Sequence, residues 1–169
     1  KNLIDAFEEK TDVILVEGYG MTEGTAVSSL CPVSDQRPVG SIGVRLPYLG
    51  LKTVMVDEQG RHVRDCEVDE IGAIVMSGPN VTPGYLNAQD NEGIWVAPGW
   101  LNTGDLGRVD KDGFFWITGR AKDLIIRSGH NIDPACIEEP LQTHPAVELV
   151  AAVGQFDTYA GEVPVAYVS

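Results

Sequence analysis

The chain has 169 residues, of which 12 are Lys or Arg and 25 are Asp or Glu, so its formal net charge is −13. This balance excludes a basic nucleic-acid binder and a polybasic membrane-surface module, since both need clustered cations. Hydrophobic residues make up 43% and charged residues 22% of the chain, which is typical of a globular protein with one sizeable core or two small ones.

The spacing of the cysteines and the lack of long apolar runs indicate the cellular compartment of the protein. No apolar run approaches the roughly 20 residues that span a bilayer, and no secretory signal is recognisable. Cys31, Cys66 and Cys136 form no CxxC pair, so we interpret them as reduced thiols in a cytoplasmic setting. The three histidines show no metal-ligand spacing.

Residues 1–37 predict the tail of a parallel α/β sheet. Leu3, Ile4 and Phe7 fall on one face of a short helix over residues 2–9. The apolar run Val13–Val16 is typical of a strand buried on both faces. A polar, glycine-rich loop follows at residues 17–20, which is where open α/β sheets bind ligands.

Residues 38–118 predict a β-rich, barrel-like subdomain, because short apolar runs alternate with glycine-containing turns. We expect strands over residues 51–56 and 71–76, and a turn at residues 57–60. Residues 108–117 predict a hairpin whose turn is Asp110–Gly113.

Residues 119–123 predict a hinge, and residues 124–169 the start of a small C-terminal α+β domain. A strand over 124–126 and a turn at 128–129 precede a helix, for which Asp133 is a good N-cap and Pro134 a good first residue. Pro140 predicts a kink or a short helix. Further strands are expected over 147–153 and 163–168. The predicted fold class is therefore mixed, α/β followed by α+β.

Three segments carry side chains suited to nucleotide chemistry. In Gly18–Glu23 (GYGMTE) the tyrosine offers a ring for stacking, the threonine a hydroxyl for phosphate, and the glutamate a carboxylate for Mg²⁺. Asp105 follows a glycine turn and suits the two hydroxyls of a ribose. Arg120, in the predicted hinge, offers fixed donors to a hydroxyl or a phosphate. Taken alone, the first segment is equally readable as a glycine-rich turn, the second is more often an ordinary turn, and the third is more often a solvated charged linker.

The order and spacing of four segments together resemble the acyl-adenylate-forming enzymes. These segments are GYGMTEGT, GSIGVRLP, GWLNTGDLG and GRAKDLIIRSGHNIDP with a following IEE. Within that superfamily the chain looks most like an AMP-forming acyl-CoA synthetase. The resemblance implies a two-step reaction, in which a carboxylate and ATP give acyl-AMP and pyrophosphate, and the thiol of coenzyme A then displaces AMP.

The same resemblance implies a role for individual residues. Tyr19 would stack on adenine, Asp105 and Arg120 would bind the ribose, Thr22 would bind phosphate and Glu23 would hold Mg²⁺. Lys122 would be the pivot about which the small domain turns. The implied cofactor-binding residues are Glu17, Gly18, Tyr19, Gly20, Met21, Thr22, Asp105, Arg120, Ser128 and Gly129, the last two lining the coenzyme A channel.

Some expected features depart from the family pattern. Asn131 stands where some acetate-activating relatives have a basic residue, so a nucleotide contact there is not implied. The family's phosphate loop is expected well upstream of residue 18, and its catalytic lysine beyond Ser169. We therefore expect a piece of a larger enzyme, marginally stable and inactive by itself, whose partners are the acid, ATP, coenzyme A and the rest of the parent. The alternatives are a non-catalytic nucleotide-binding module and an adenylation domain that loads a carrier protein.

Overall fold

The computed structural model describes residues 2–34 and 37–169. The chain forms two compact units, of which the first ends at Ile117 and the second is Thr118–Ser169. This boundary lies next to the predicted hinge at residues 119–123, which stays a prediction, as do the four predicted domain ranges. No helix in the described part of the chain is long and apolar enough to cross a membrane.

The first unit begins with a helix and a small antiparallel sheet. The elements are α1 (Asn2–Thr11), β1 (Gly18–Tyr19), β2 (Ser29–Leu30) and β3 (Val44–Arg45). The sheet order is β1-β2-β3, and both strand pairs are antiparallel. The predicted helix over residues 2–9 is confirmed, and it extends two residues further.

The predicted buried strand at Val13–Val16 is wrong. Residues 12–17 have no regular secondary structure, and Val13 and Ile14 are 54% and 46% exposed. A strand needs a neighbouring strand to satisfy its backbone, and no described strand pairs with this segment. Side chains bind its backbone instead, since Glu8 Oε1 accepts from the Leu15 N–H at 2.7 Å and Arg37 Nε donates to the Leu15 carbonyl at 3.2 Å.

The remaining strands of the first unit belong to a six-stranded antiparallel sheet, whose last strand continues past the unit boundary at Ile117. Its strands are β4 (Gly50–Val56), β5 (His62–Asp65), β6 (Gly72–Ser77), β7 (Trp95–Ala97), β8 (Trp100–Val109) and β9 (Phe115–Arg120). The hydrogen-bonded order is β5-β4-β6-β8-β7, and β9 also pairs with β8. The main core cluster consists of Leu51, Ile74, Met76, Leu101 and Phe115. The predicted turns are confirmed by backbone hydrogen bonds from Gly60 to Asp57 and from Gly113 to Asp110.

Strand β8 contains an irregularity that matters for the site. Ala73 of β6 lies opposite Leu106, whereas Val75 lies opposite Asn102. One residue of β6, Ile74, therefore faces three residues of β8, Thr103–Asp105. Such bulges bend a strand and redirect its side chains.

The second unit is a four-stranded antiparallel sheet with one helix. Its elements are β10 (Ile125–Arg127), β11 (His130–Ile132), α2 (Ala135–Gln142), β12 (Val150–Asp157) and β13 (Gly161–Val168), with sheet order β11-β10-β13-β12. The predicted helix and the predicted strands over 124–126 and 163–168 are confirmed, the strand predicted over 147–153 begins at Val150, and β11 was not predicted. Asp133 Oδ1 accepts from the Ala135 N–H at 3.0 Å, as expected of a residue that caps the helix start. Helix α2 is short, with Pro140 inside its last turn.

Candidate functional site

A tight hairpin loop carries most of the predicted nucleotide-binding residues. Strands β1 and β2 pair Gly18 with Leu30 and Tyr19 with Ser29, so residues 20–28 form the connection between them. Gly20 lies so close to the returning chain that an added Cβ would stand 1.3 Å from the Ala26 carbonyl oxygen. Only glycine fits this backbone approach, which gives a steric reason for its place in the motif.

The loop turns at a short 3₁₀ segment, Thr22–Gly24, followed by two strained residues. Thr25 and Ala26 have φ values of 53° and 81°, a left-handed conformation that is unfavourable for side chains with a Cβ. The Thr25 N–H donates to the Thr22 carbonyl at 3.1 Å, and the Ala26 N–H to the Met21 carbonyl at 3.3 Å. Such strain persists where surrounding contacts fix the backbone, and it is common at binding sites.

Tyr19 and Asp105 meet although they are 86 positions apart in sequence. The Tyr19 hydroxyl donates to Asp105 Oδ2 over 2.5 Å. Asp105 is only 6% exposed, and its N–H donates to Thr103 Oγ1 at 3.2 Å. Thr103 Oγ1 in turn donates to the Ile74 carbonyl of β6 at 2.8 Å. The bulge in β8 thus presents an acceptor carboxylate beside an aromatic ring.

Glu23 lies in the 3₁₀ turn of the loop and accepts hydrogen bonds from a second segment of the chain. Its backbone carbonyl accepts from the Thr82 N–H at 2.7 Å, and its Oε1 accepts from the Tyr85 hydroxyl. The adjacent carboxylate of Glu23 raises the pKa of Tyr85. Tyr19 with Asp105, and Glu23 with Tyr85, therefore form two pairs of a tyrosine and a carboxylate.

The donor set around Glu23 fits Mg²⁺. Magnesium is bound in nucleotide sites by one or two carboxylates together with substrate phosphates, not by a cage of protein ligands. Glu23 supplies one half-buried carboxylate and the adjacent Thr22 is exposed. The described residues contain no cluster of three or more His, Cys, Asp or Glu side chains that could hold a metal by itself.

The remaining predicted residues divide between the two units. In the first unit, Glu17 Oε2 accepts from the Gly40 N–H at 2.8 Å, and the half-buried Met21 packs against the main core cluster. In the second unit, Arg120 is the last residue of β9, and the Asp123 N–H donates to its carbonyl at 3.1 Å across a turn that contains Lys122.

Ser128 and Gly129 form the exposed tip of the β10–β11 hairpin. Their φ values are 49° and 81°, and the flanking residues Arg127 and His130 are paired. Positive φ at both central residues is the geometry of a two-residue type I′ hairpin turn. The predicted turn is confirmed, whereas its role in binding coenzyme A stays a prediction.

Comparison with known proteins decides the family. The sequence profile of the family described as AMP-binding enzymes matches residues 1–86, which is more than half of the chain. The chain belongs to the AMP-binding enzyme family. The resemblance drawn from the sequence motifs is confirmed.

Similar curated proteins within this family are CoA ligases. Marinolic acid–CoA ligase of a Pseudoalteromonas species is 52% identical over 167 residues, covering 99% of this chain and 26% of that protein. The 2-succinylbenzoate–CoA ligase of Bacillus cytotoxicus is 39% identical over 168 residues, covering 99% of this chain and 34% of that protein. The chain therefore spans about a quarter to a third of the length of these relatives.

Solved structures of AMP-binding enzymes share the fold. ATP-bound MatB from Rhodopseudomonas palustris superimposes with a TM-score of 0.85 at 31% identity, over 99% of this chain and 32% of that one. The O-succinylbenzoate coenzyme A synthetase MenE from Bacillus subtilis, in complex with ATP and a magnesium ion, gives 0.81 at 36% identity, over 99% and 34%. The predicted mixed fold class is confirmed, with several antiparallel sheets and few helices.

Three residues that contact the loop were missed by sequence reasoning. Thr82 and Tyr85 bind Glu23, and Asn80 Nδ2 donates to the Gly24 carbonyl at 2.5 Å. The run Thr82–Tyr85 (TPGY) carries a Pro-Gly turn signal followed by an aromatic residue. Nothing local links this run to Glu23, which is 62 positions from Tyr85.

Proposed function

We propose that this chain is the adenylate-binding part of an AMP-forming acyl-CoA synthetase. Its parent activates a carboxylic acid with ATP to acyl-AMP and pyrophosphate, and then transfers the acyl group to the thiol of coenzyme A. The observation that carries the proposal is the hydrogen bond from Tyr19 to the buried Asp105. It joins an aromatic ring and an acceptor carboxylate in the way that recognition of an adenosine requires.

Tyr19 and Asp105 divide the recognition of the nucleoside. The ring of Tyr19 stacks on adenine, for which a flat apolar face is sufficient. The carboxylate of Asp105 accepts hydrogen bonds from the ribose hydroxyls, and its burial makes those bonds stronger than they are in water. The donor from Tyr19 occupies Oδ2 and fixes the carboxylate, so that its orientation is set before the nucleotide binds.

Thr22 and Glu23 act on the phosphates. The exposed hydroxyl of Thr22 donates to a phosphate oxygen, and Glu23 holds Mg²⁺. Magnesium, when bound, neutralises negative charge on the phosphates and favours loss of pyrophosphate. Glu17 acts indirectly, because its carboxylate anchors the Gly40 backbone and so fixes the start of the loop.

The second unit carries a proposed ribose-binding residue, the hinge pivot and the residues proposed to line the coenzyme A channel. Arg120 binds the ribose, and Lys122, within its turn, is the pivot of a hinge at residues 119–123. The hairpin tip at Ser128 and Gly129 lines the path of the pantetheine arm, since backbone without bulky side chains lets the arm pass closely. We place the enzyme in the cytoplasm, a setting supported by its three free thiols.

The experiment that tests this function is acid-dependent exchange of pyrophosphate into ATP, measured on the polypeptide that carries this sequence in its natural context. A panel of acids should include aliphatic and aromatic members, because the similar ligases act on chemically different acids, among them 2-succinylbenzoate, sulfoacetate and long-chain fatty acids. We expect exchange with one acid class, followed by a thioester when coenzyme A is added.

Other outcomes identify the competing functions. AMP binding without exchange for any acid would indicate a non-catalytic nucleotide-binding module. Exchange without transfer to coenzyme A, but with acylation of a phosphopantetheine carrier, would indicate a carrier-loading adenylation domain. The 169 residues alone are expected to give no exchange, and measurable exchange by them would contradict that expectation.

A further inference from the structure

The segment between β6 and β7 holds the loop of residues 20–28, which contains Glu23, through four hydrogen bonds. We call residues 80–85 the bracing segment. Asn80 Nδ2 donates to the Gly24 carbonyl at 2.5 Å, and Thr25 Oγ1 donates to the Asn80 carbonyl at 2.7 Å. The Thr82 N–H donates to the Glu23 carbonyl at 2.7 Å, and the Tyr85 hydroxyl donates to Glu23 Oε1. The acceptor of the first three bonds is a backbone carbonyl, and only the last bond joins two side chains, one of which, Glu23, could act on a ligand.

The backbone of Tyr85 is held by the side chain of Asn91. Its N–H donates to Asn91 Oδ1 at 2.7 Å, and its carbonyl accepts from Asn91 Nδ2 at 3.0 Å. The amide of one side chain thus binds both backbone groups of Tyr85. The ring, by contrast, is 42% exposed and belongs to neither core cluster. A tyrosine whose backbone is anchored in this way is suited to orienting a partner with its hydroxyl. Its exposed ring contributes little to the core by packing.

The hydrogen bond leaves one oxygen of Glu23 available. The Tyr85 hydroxyl donates to Oε1, whereas no described residue donates to Oε2. A hydrogen bond that fixes a carboxylate ligand in this way aligns it for a metal and reduces the rotamer entropy lost on binding. The same contact without a metal function would serve only to tie the bracing segment to the loop.

We propose that Tyr85 is a positioning residue for magnesium. Its hydroxyl holds Glu23 by Oε1 and leaves Oε2 to bind the metal of the MgATP substrate. This inference rests on the proposed function and adds to it a residue outside the two motifs that bind the nucleotide. The role requires the hydroxyl and not the ring, so Tyr85→Phe is the informative substitution.

The test is the affinity for Mn²⁺ in the presence of ATP, followed by electron paramagnetic resonance without any acid substrate. Four proteins are compared, namely the wild type, Tyr85→Phe, Glu23→Gln and the double variant, with Tyr48→Phe as control because that ring is 93% exposed. We expect Tyr85→Phe to raise the dissociation constant of Mn²⁺ about tenfold. The affinity for ATP without metal should not change. In the Glu23→Gln background the same substitution should have no further effect.

Three results would overturn the proposal. The Mn²⁺ affinity of Tyr85→Phe could equal that of Tyr48→Phe, its loss could be as large in the Glu23→Gln background, or metal-free ATP binding could weaken by the same factor. The second and third results are those expected of a general loss of folding. If the wild type binds no ATP, the proposed function fails and this inference fails with it. If the wild type binds ATP and gives exchange, but Tyr85→Phe has wild-type metal affinity, only this inference fails.

Discussion

The Tyr19 hydroxyl donates a hydrogen bond to Asp105 Oδ2 across 2.5 Å, joining the first loop of the chain to the bulge in β8. Neither residue alone distinguishes a nucleotide site from an ordinary turn. Together they combine a stacking surface with a buried acceptor. Because one partner fixes the other, substitutions at Tyr19 should separate the contribution of the ring from that of the hydroxyl.

Two substitutions of Tyr19 are expected to have different effects. Tyr19→Phe keeps the ring but removes the donor that orients Asp105, so AMP affinity should fall less than in Tyr19→Ala, while the free energy of unfolding should fall by about 1.5–3 kcal/mol. Tyr19→Ala also removes stacking, which contributes about 1–3 kcal/mol per base. Isothermal titration with AMP and urea unfolding measure the two quantities. Equal AMP affinities for the Phe and Ala variants would contradict a stacking role.

Gly20→Ala should disrupt the loop, because the new Cβ would stand 1.3 Å from the Ala26 carbonyl oxygen. The backbone has to move, and we expect a loss of about 3 kcal/mol in the free energy of unfolding, together with loss of AMP binding. Gly93→Ala is the matched control, since its φ is 74° but no atom lies within 4 Å of the added Cβ. It should cost only about 1 kcal/mol. Similar urea midpoints for the two variants would show that the approach at Gly20 is looser than described.

The pH dependence of stability should contain a contribution from Glu70. The Arg64 guanidinium and the Glu67 N–H lower the pKa of Glu70 from 4.5 to about 2. Because the folded value is the lower one, this contribution is fully present above about pH 4.5 and is lost as the pH falls towards 2. The difference in urea midpoint between wild type and Glu70→Gln should therefore shrink over this range. Glu58→Gln, at an exposed turn, is the control, and a difference independent of pH would refute the Arg64–Glu70 pairing.

The three thiols should differ in reactivity. Cys136 is exposed, whereas Cys31 is 1% exposed and burial raises the pKa values of Cys31 and Cys66. A raised pKa lowers the thiolate fraction and slows reaction with disulfide reagents. We expect one fast thiol in the folded protein, which Cys136→Ser removes. Reaction of all three at one rate without denaturant would show that the environment of Cys31 is open to solvent.

Local sequence signals predicted much of the fold, because the relevant interactions are local. The turn at Asp110–Gly113 is fixed by its own glycine and aspartate, and β4 and β6 by short apolar runs. The run Val13–Val16 has the same apolar character but forms no strand, since pairing depends on residues far away in sequence.

The candidate site likewise combines features that the local sequence predicts with features that depend on residues far away in sequence. Its residues were identified from the order of the motifs, but the bulge that brings Asp105 to Tyr19 depends on how β6 and β8 align. Tyr85 was not predicted at all, because its role appears only when the segment after β6 folds against Glu23. Contacts across such long separations in sequence leave no periodic signal.

The central claim, that Tyr19 and Asp105 bind an adenosine, is tested most directly by comparing AMP with 2′,3′-dideoxy-AMP. Hydrogen bonds to a charged acceptor contribute about 1.5–3 kcal/mol, so the wild type should bind AMP about 10- to 100-fold more tightly than the analogue. Asp105→Asn should bring AMP close to the affinity of the analogue, while Asp112→Asn, at an exposed hairpin turn, should preserve the preference. Equal affinities in the wild type, or an unchanged preference in Asp105→Asn, would contradict the account.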